Sequence, residues 1–346
     1  MEVSNRIHYI DVLKGIGILF VLFGHMNSQV WIDYLYSFHM AIFFFISGLL
    51  INLEKYSTFK SFFVSRVKQL YVPFIILYLI IYVYWLVVER SLRSVVVPPL
   101  DAFVGLFWGS DNMYWIFPAG VLWFVICLFS LEVLFVGVIK FVKEKYLQVT
   151  FLVGLTVLGI VMARQDWYVL PFSLNNALIS IPFLAVGYLM RNALLGSKYN
   201  HETIKKVSLF LLAPLSIITV VFFPEICEIG KETDISYLKF PKVYEFYSVP
   251  FISIFLWLFL SILIGHSRFL EYLGRNTLPL LAVHPQIARI CLFVANYWGL
   301  SKNTIKGDLI YSLCLLVAVL LLCWPIIFLW GKVYPKIVST IAISGK

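Results

Sequence analysis

Apolar runs of about 20 residues, the length needed to cross the hydrocarbon of a bilayer, alternate with short polar segments along the whole chain. Ten such runs occur: Tyr9 to His25, Phe38 to Leu53, Leu70 to Val88, Gly120 to Phe141, Leu147 to Ala163, Ala177 to Leu195, Val207 to Phe223, Val249 to Ile264, Thr277 to Trp298 and Leu309 to Val333. Each predicts a membrane-spanning helix, and together they predict an all-α transmembrane bundle forming a single domain over residues 1–346. No repeat period, low-complexity tract or interdomain linker interrupts the pattern. The first run contains Asp11 and Lys14 and ends in Gly24, His25, Met26 and Asn27 without an A-x-A-like site, so it is expected to stay as the first helix and not to be cleaved as a signal peptide.

Composition agrees. Hydrophobic residues make up 61% and charged residues 13% of the 346 residues, against roughly 25% charged in soluble domains, which leaves no room for a large soluble domain. The formal charge of +9 is explained by loop charges that set orientation. With the amino terminus inside, 17 basic residues fall in cytoplasmic segments and 8 outside, which predicts both termini in the cytoplasm. Nucleic acid is therefore not an expected partner. The five cysteines lie mostly in apolar runs and show no CxxC spacing, so they read as packing residues, and neither a disulfide framework nor a metal site is expected. The long outer loops, Glu89 to Ala119 and Pro224 to Ser248, carry Pro and aromatic residues suited to shaping a lid.

The candidate chemistry begins in IDVLKGIGILFVLFGH, residues 10–25. A charge at the bilayer centre costs roughly 2.5 to 3.5 kcal/mol on insertion scales, so ionisable groups within a span point to function. Lys14 and His25 are eleven residues apart, which at about 100° per residue is three turns plus roughly 20°. Asp11 is two heptads from His25, so all three share one stripe. In the second span, His39 opens FHMAIFFFISGLL near the outer end, where it can meet His25 in a relay or simply contact interfacial water. Ser47 and Gly48 form a small pair that admits either a neighbouring helix or a ligand.

Arg66 and Lys68, just before Pro73, are suited to phosphates but are also what orientation rules place beside any span. Glu132 falls mid-span and needs a partner, with Lys14, Arg289 or a structural hydrogen bond as the candidates. The ninth span carries His284, Pro285 and Arg289; a proline there frees a carbonyl, and this span is expected to kink and line a cavity. His8, His201 and His266 lie at ends or loops and receive no role.

The succession IDVLKGIGILFVLFGH, YSFHMAIFFFISGLLI, RVKQLYVP, LWFVICLF, PFLAVGYLMRN and LPLLAVHPQ resembles the acyltransferase-3 family of bacterial integral membrane O-acyltransferases over essentially the whole chain. The resemblance implies about ten transmembrane helices in the bacterial cell membrane. They move an acyl group, usually acetyl from cytoplasmic acetyl-CoA, to a hydroxyl of a cell-surface glycan or its lipid-linked precursor. It also implies an essential histidine, here His25, and an upstream arginine, here Lys14. The family's R-x-x-R pair stands here as Arg66 with Gln69, so bidentate geometry is lost at both sites.

Acyl transfer to a hydroxyl needs a base and stabilisation of a developing oxyanion. His25 suits the first task, assisted by His39, whether as base or as acyl carrier. Lys14 suits donor phosphates or the thioester carbonyl, alongside donor contacts from Arg66, Lys68 and Ser47, while Asp11, Glu132, His284 and Arg289 serve as substrate-facing or structural polar groups. About 16 Å of helix separates Lys14 from His25, a length an extended pantetheine arm covers. The leading alternative is a transporter or exporter of a polar solute or glycan, which would use the same buried charges; the inverted repeats common in such proteins are not visible in the sequence. A purely structural scaffold gives no reason for so many buried charges. Association with membrane lipid follows from the spans, and self-association stays open.

The orientation is testable. Reporter fusions after Lys55 and after Lys140 are expected to score as cytoplasmic, and periplasmic signals at those two sites would refute cytoplasmic termini.

Overall fold

The structure, a computed structural model, describes residues 7–29, 32–92, 97–109, 117–165, 169–196, 201–240 and 242–343, without the side chains of 117, 201 and 336–343. Among these residues ten helices are long and apolar enough to cross a membrane: α1 (His8–Met26), α2 (Asp33–Leu50), α3 (Phe59–Glu89), α4 (Pro118–Phe141), α5 (Lys145–Arg164), α6 (Pro171–Leu195), α7 (Glu202–Val221), α8 (Val243–Ile264), α9 (Thr277–Tyr297) and α10 (Leu309–Pro335). The all-α, ten-span architecture matches the apolar pattern, and the chain is a multi-pass membrane protein. Shorter helices occupy Pro99–Trp108, Phe223–Glu232, Arg268–Arg275 and Lys302–Gly307, so both of the long loops contain a helix.

The largest departure from the apolar pattern is α3, which starts at Phe59 and not near Leu70. A capping box starts it: the Ser61 N–H donates to the Thr58 hydroxyl at 3.1 Å, and the Thr58 N–H donates to the Ser61 hydroxyl at 3.3 Å. Backbone capping sets a helix start without regard to hydrophobicity, so the helix extends back through Lys60, Arg66 and Lys68. A π-helical turn follows at Val67–Tyr71 and another at Trp85–Glu89.

The chain divides into two compact units. The first comprises residues 1–50, 186–234 and 240–330. Its centre is α1, in which Val12, Leu13, Leu22 and Met26 are buried. The helix Arg268–Arg275 lies on α1 at backbone distance: a Cβ on Gly15 would fall on the Leu270 carbonyl, and a Cβ on Gly274 on the Asp11 carbonyl. Two glycines from facing helices thus open one contact. The same device recurs where Gly187 of α6 meets the Phe45 carbonyl of α2, and where Gly230 meets the Asp33 carbonyl. Ser47 is buried in that α2 stretch, and the small residue that admits the neighbouring backbone is Gly187 on the partner helix. Arg191 donates to the Leu49 carbonyl at 3.1 Å near the end of α2, where the helix leaves carbonyls unpaired.

The second unit comprises residues 51–185, 235–239 and 331–346. Gly159 of α5 packs on Leu178 and Ile179 of α6. Asn176 of α6 donates to the carbonyls of Ile235 and Ser236 at 2.5 and 3.1 Å. The Trp108 indole N–H reaches the Val169 carbonyl at 3.2 Å, and the Ser130 hydroxyl reaches that of Phe172 at 2.7 Å.

Gly15→Ala is expected to lower the thermal midpoint of the full-length protein in detergent, since overpacking costs about 1–3 kcal/mol. Gly154→Ala in α5, where an added Cβ meets nothing within 4 Å, is expected to leave the midpoint unchanged or raise it, with up to about 1 kcal/mol added stability. Equal midpoints for the two variants would remove the backbone contact as a stabilising feature.

Candidate active site

Three histidines, a lysine and their supports gather in the first unit around the end of α1. His25, in the last turn of α1, packs its ring against His284 of α9 with centroids 5.2 Å apart and planes tilted by 39°. The ring packed on His25 belongs to His284, and His39, the partner expected from the sequence, lies within electrostatic reach of His25. His284 is fully buried, and its Nδ1–H donates to the Leu280 carbonyl at 3.0 Å. A carbonyl accepts only, so the hydrogen of a neutral ring sits on Nδ1 and the Nε2 lone pair stays available. That Nε2 is buried without a hydrogen-bond partner. Pro285 follows directly, and the helix is continuous through it. Having no N–H, Pro285 leaves the carbonyl one turn earlier without its usual donor.

His39 is oriented the same way, with Nδ1–H donating to the Leu35 carbonyl at 2.8 Å. Its ring meets Tyr36 edge-on at 5.1 Å, and the Tyr36 hydroxyl donates to the Gly24 carbonyl at 3.1 Å, next to His25. Tyr36 therefore ties His39 to the end of α1.

Lys306, which the sequence reading placed only among the outer charges, donates from Nζ to the His25 carbonyl at 2.5 Å. A cation at the carbonyl end of a helix opposes the helix dipole and satisfies an otherwise unpaired acceptor. Burial, reinforced by the charge of Lys302, pushes the Lys306 ammonium below its usual range. Around it, the Ser28 N–H donates to the Lys306 carbonyl at 2.9 Å and the Gln29 amide to that of Gly307 at 3.0 Å. Asn27 donates to the Ser312 hydroxyl at 3.0 Å, which donates in turn to the Ile305 carbonyl at 2.9 Å. The helix Lys302–Gly307 and the start of α10 thus clamp Asn27, Ser28 and Gln29, just after His25. No periodic signal marks Lys306, because it acts through a backbone carbonyl from a loop distant in sequence.

At the other end of α1, Asp11 faces Arg275 at 3.5 Å, and Arg275 binds Glu271 at 2.6 Å. Asp11 also lies in the first turn, where an acid favours the helix dipole. Lys14 is partly buried on the same helix, beside the Gly15 contact. Arg289 is on α9, one turn beyond His284.

Glu132 is expected from the sequence to pair with Lys14 or Arg289 or to make a structural hydrogen bond; within the second unit its carboxylate meets the Arg66 Nε at 2.7 Å. Arg66 sits within α3 and not ahead of it, so its guanidinium faces α4 and not water. It also donates to Gln69 at 2.7 Å and lies over the Phe62 ring at 4.9 Å. Its Nε and Nη1 thus have partners within the unit. The Lys68 carbonyl accepts from the Tyr334 hydroxyl at 2.7 Å.

A bundle of apolar helices with one histidine at the end of its first helix and two buried histidines beside it belongs to a multi-pass membrane protein. A family model described as an acyltransferase domain matches residues 7–328, from the start of α1 into α10, and the chain belongs to the acyltransferase-3 family. No match to a curated protein or to a solved structure was found.

Breaking one side of a buried ion pair costs about 3–5 kcal/mol, whereas replacing both partners with apolar groups is often neutral. Arg66→Met and Glu132→Leu are each expected to reduce the thermal midpoint and the amount of folded protein, and the double variant to recover most of the loss. Additive losses would mean that the two side chains do not act as a pair.

Proposed function

We propose that this acyltransferase carries an acyl group, acetyl first among the candidates, from cytoplasmic acyl-CoA to a hydroxyl of a cell-surface polysaccharide or lipid-linked glycan precursor in the bacterial cell membrane. The observation that carries the reading is the His25–His284 ring contact at 5.2 Å within an acyltransferase domain that covers residues 7–328. In direct transfer, His25 takes the proton of the acceptor hydroxyl as its oxygen attacks the thioester carbonyl. The C–O bond forms, the C–S bond breaks, and the proton held by His25 passes to the departing thiolate. His284, with its hydrogen committed to the Leu280 carbonyl, offers Nε2 as an acceptor beside the ring that gains the proton. Its role is positioning and charge stabilisation, not proton abstraction.

Lys306 and Tyr36 hold the backbone at Gly24 and His25, which fixes where the His25 ring can point. Lys14, on the same helix, supplies a permanent positive charge towards the donor phosphates or the thioester carbonyl. Membership in an acyltransferase family favours this chemistry over solute export.

The test is glycan mass spectrometry, read as acetyl mass, on membranes holding each variant at wild-type abundance. His25→Ala is expected to abolish transfer, because loss of a general base costs about 10²- to 10⁴-fold. His39→Ala is expected only to weaken it. His284→Gln, which keeps an acceptor near the Nε2 position, is expected to retain more activity than His284→Asn. Lys14→Arg is expected to keep substantial activity and Lys14→Met to lose most of it. Normal acetylation with His25→Ala would overturn the proposal.

A further inference from the structure

A second histidine cluster lies at the opposite end of α1, apart from the His25 site. His8, the first residue of α1, places Nδ1 at 3.0 Å from Glu271 Oε2, and His266 places Nδ1 against Glu271 Oε1. The two imidazoles stand at 89° to each other with centroids 5.1 Å apart. One candidate ligand atom from each residue lies within 4.8 Å of the other two. The carboxylate is 2% exposed while the two imidazoles are 50% and 60% exposed, so the site is closed on the protein side and open to water on the other.

We propose that His8, His266 and Glu271 bind a divalent transition-metal ion of the zinc class, with water completing the coordination. Two imidazoles and one carboxylate are a borderline ligand set that suits zinc and its neighbours, and not magnesium or calcium, which select oxygen donors. The perpendicular rings approach the carboxylate from different directions, one at each oxygen. Each Nδ1 can give up its hydrogen to Nε2 with little penalty, because both rings are half in water. Glu271 is held for the task by Arg275 at 2.6 Å and by the Ser267 N–H at 3.3 Å, the outer-shell support that orients a ligating carboxylate. Two carboxylates, Asp11 and Glu271, face the single guanidinium of Arg275.

His8 and the pair His266 and Glu271 belong to distant parts of the chain, so a bound ion would cross-link the start of α1 to the segment around the helix Arg268–Arg275. That is where the reciprocal glycine contact sits, and the ion would reinforce it.

The test uses the full-length protein in detergent, prepared with a non-histidine affinity tag and stripped with chelator. Equilibrium dialysis against Zn²⁺ with elemental analysis reads stoichiometry, and thermal unfolding with and without Zn²⁺ reads coupling to the fold. The expected result is one ion per chain and a raised midpoint. The double variant His8→Ala/His266→Ala, which alters only half-exposed side chains, is expected to weaken binding by more than the roughly 10- to 100-fold that loss of an outer-shell partner costs and to lose the midpoint rise. A Co²⁺ absorption spectrum typical of nitrogen and oxygen ligands, absent in the double variant, would support the same assignment. No Zn²⁺ bound by the wild type, or equal binding by wild type and double variant, would overturn it and leave the cluster a hydrogen-bonded clasp.

Discussion

Backbone-to-backbone packing at Gly15 and Gly274 is the constraint on which the first unit depends. Helices in a bilayer gain little from burying apolar side chains against each other, because the lipid is equally apolar, so close approach and polar contacts must hold them. With a Cβ at Gly15 blocked by the Leu270 carbonyl and one at Gly274 by the Asp11 carbonyl, the helix Arg268–Arg275 fits α1 in one register. That register brings Arg275 to Asp11 and Glu271 to His8, and it leaves Lys14 on the neighbouring turn. The glycines of the KGIG run thus follow from packing, and the charged residues beside them follow from what that packing brings near.

The other end of α1 is fixed by a different means. Instead of glycines, a chain of donors closes on carbonyls: Tyr36 on Gly24, Lys306 on His25 and the Ser28 N–H on Lys306. A helix end offers unpaired carbonyls, and each is a handle by which a loop can be tied to it. Two such handles hold the backbone at Gly24 and His25, the rigidity that the proposed proton transfer would need, since small errors in position are costly in rate.

Much of this was legible in the sequence because the bilayer imposes length and polarity together. Ten apolar runs became ten spans, and an acid, a base and a histidine on one stripe of the first helix marked the helix that carries His25. What could not be read was tertiary partnership. Glu132 was correctly seen to need a partner, but Arg66 lay ahead of the apolar run and was counted as a loop charge; only the Thr58 capping box, which lengthens α3, brings it into the helix. His284 could be singled out by its proline and its depth, yet its contact with His25 joins spans one and nine, and nothing local encodes that. Lys306 and the pair His8 and His266 were invisible for a simpler reason, since a loop lysine or a histidine at a helix end looks like any interfacial residue.

Permanent charges and histidines are handled differently in this fold, and the difference bears on how the site can work. Asp11 faces Arg275, and Glu132 faces Arg66, so each of these carboxylates is matched by a guanidinium that never deprotonates. His25 and His284 face each other instead. Two neutral imidazoles need no counter-ion, so the pair can wait within the bundle without the cost of a buried charge. Two positive charges this close would repel, so the arrangement disfavours two protons on the pair at once. Under the proposed acyl transfer an acceptor hydroxyl gives up one proton and a departing thiolate takes one back, and a pair that takes up a single proton and returns it would match that stoichiometry.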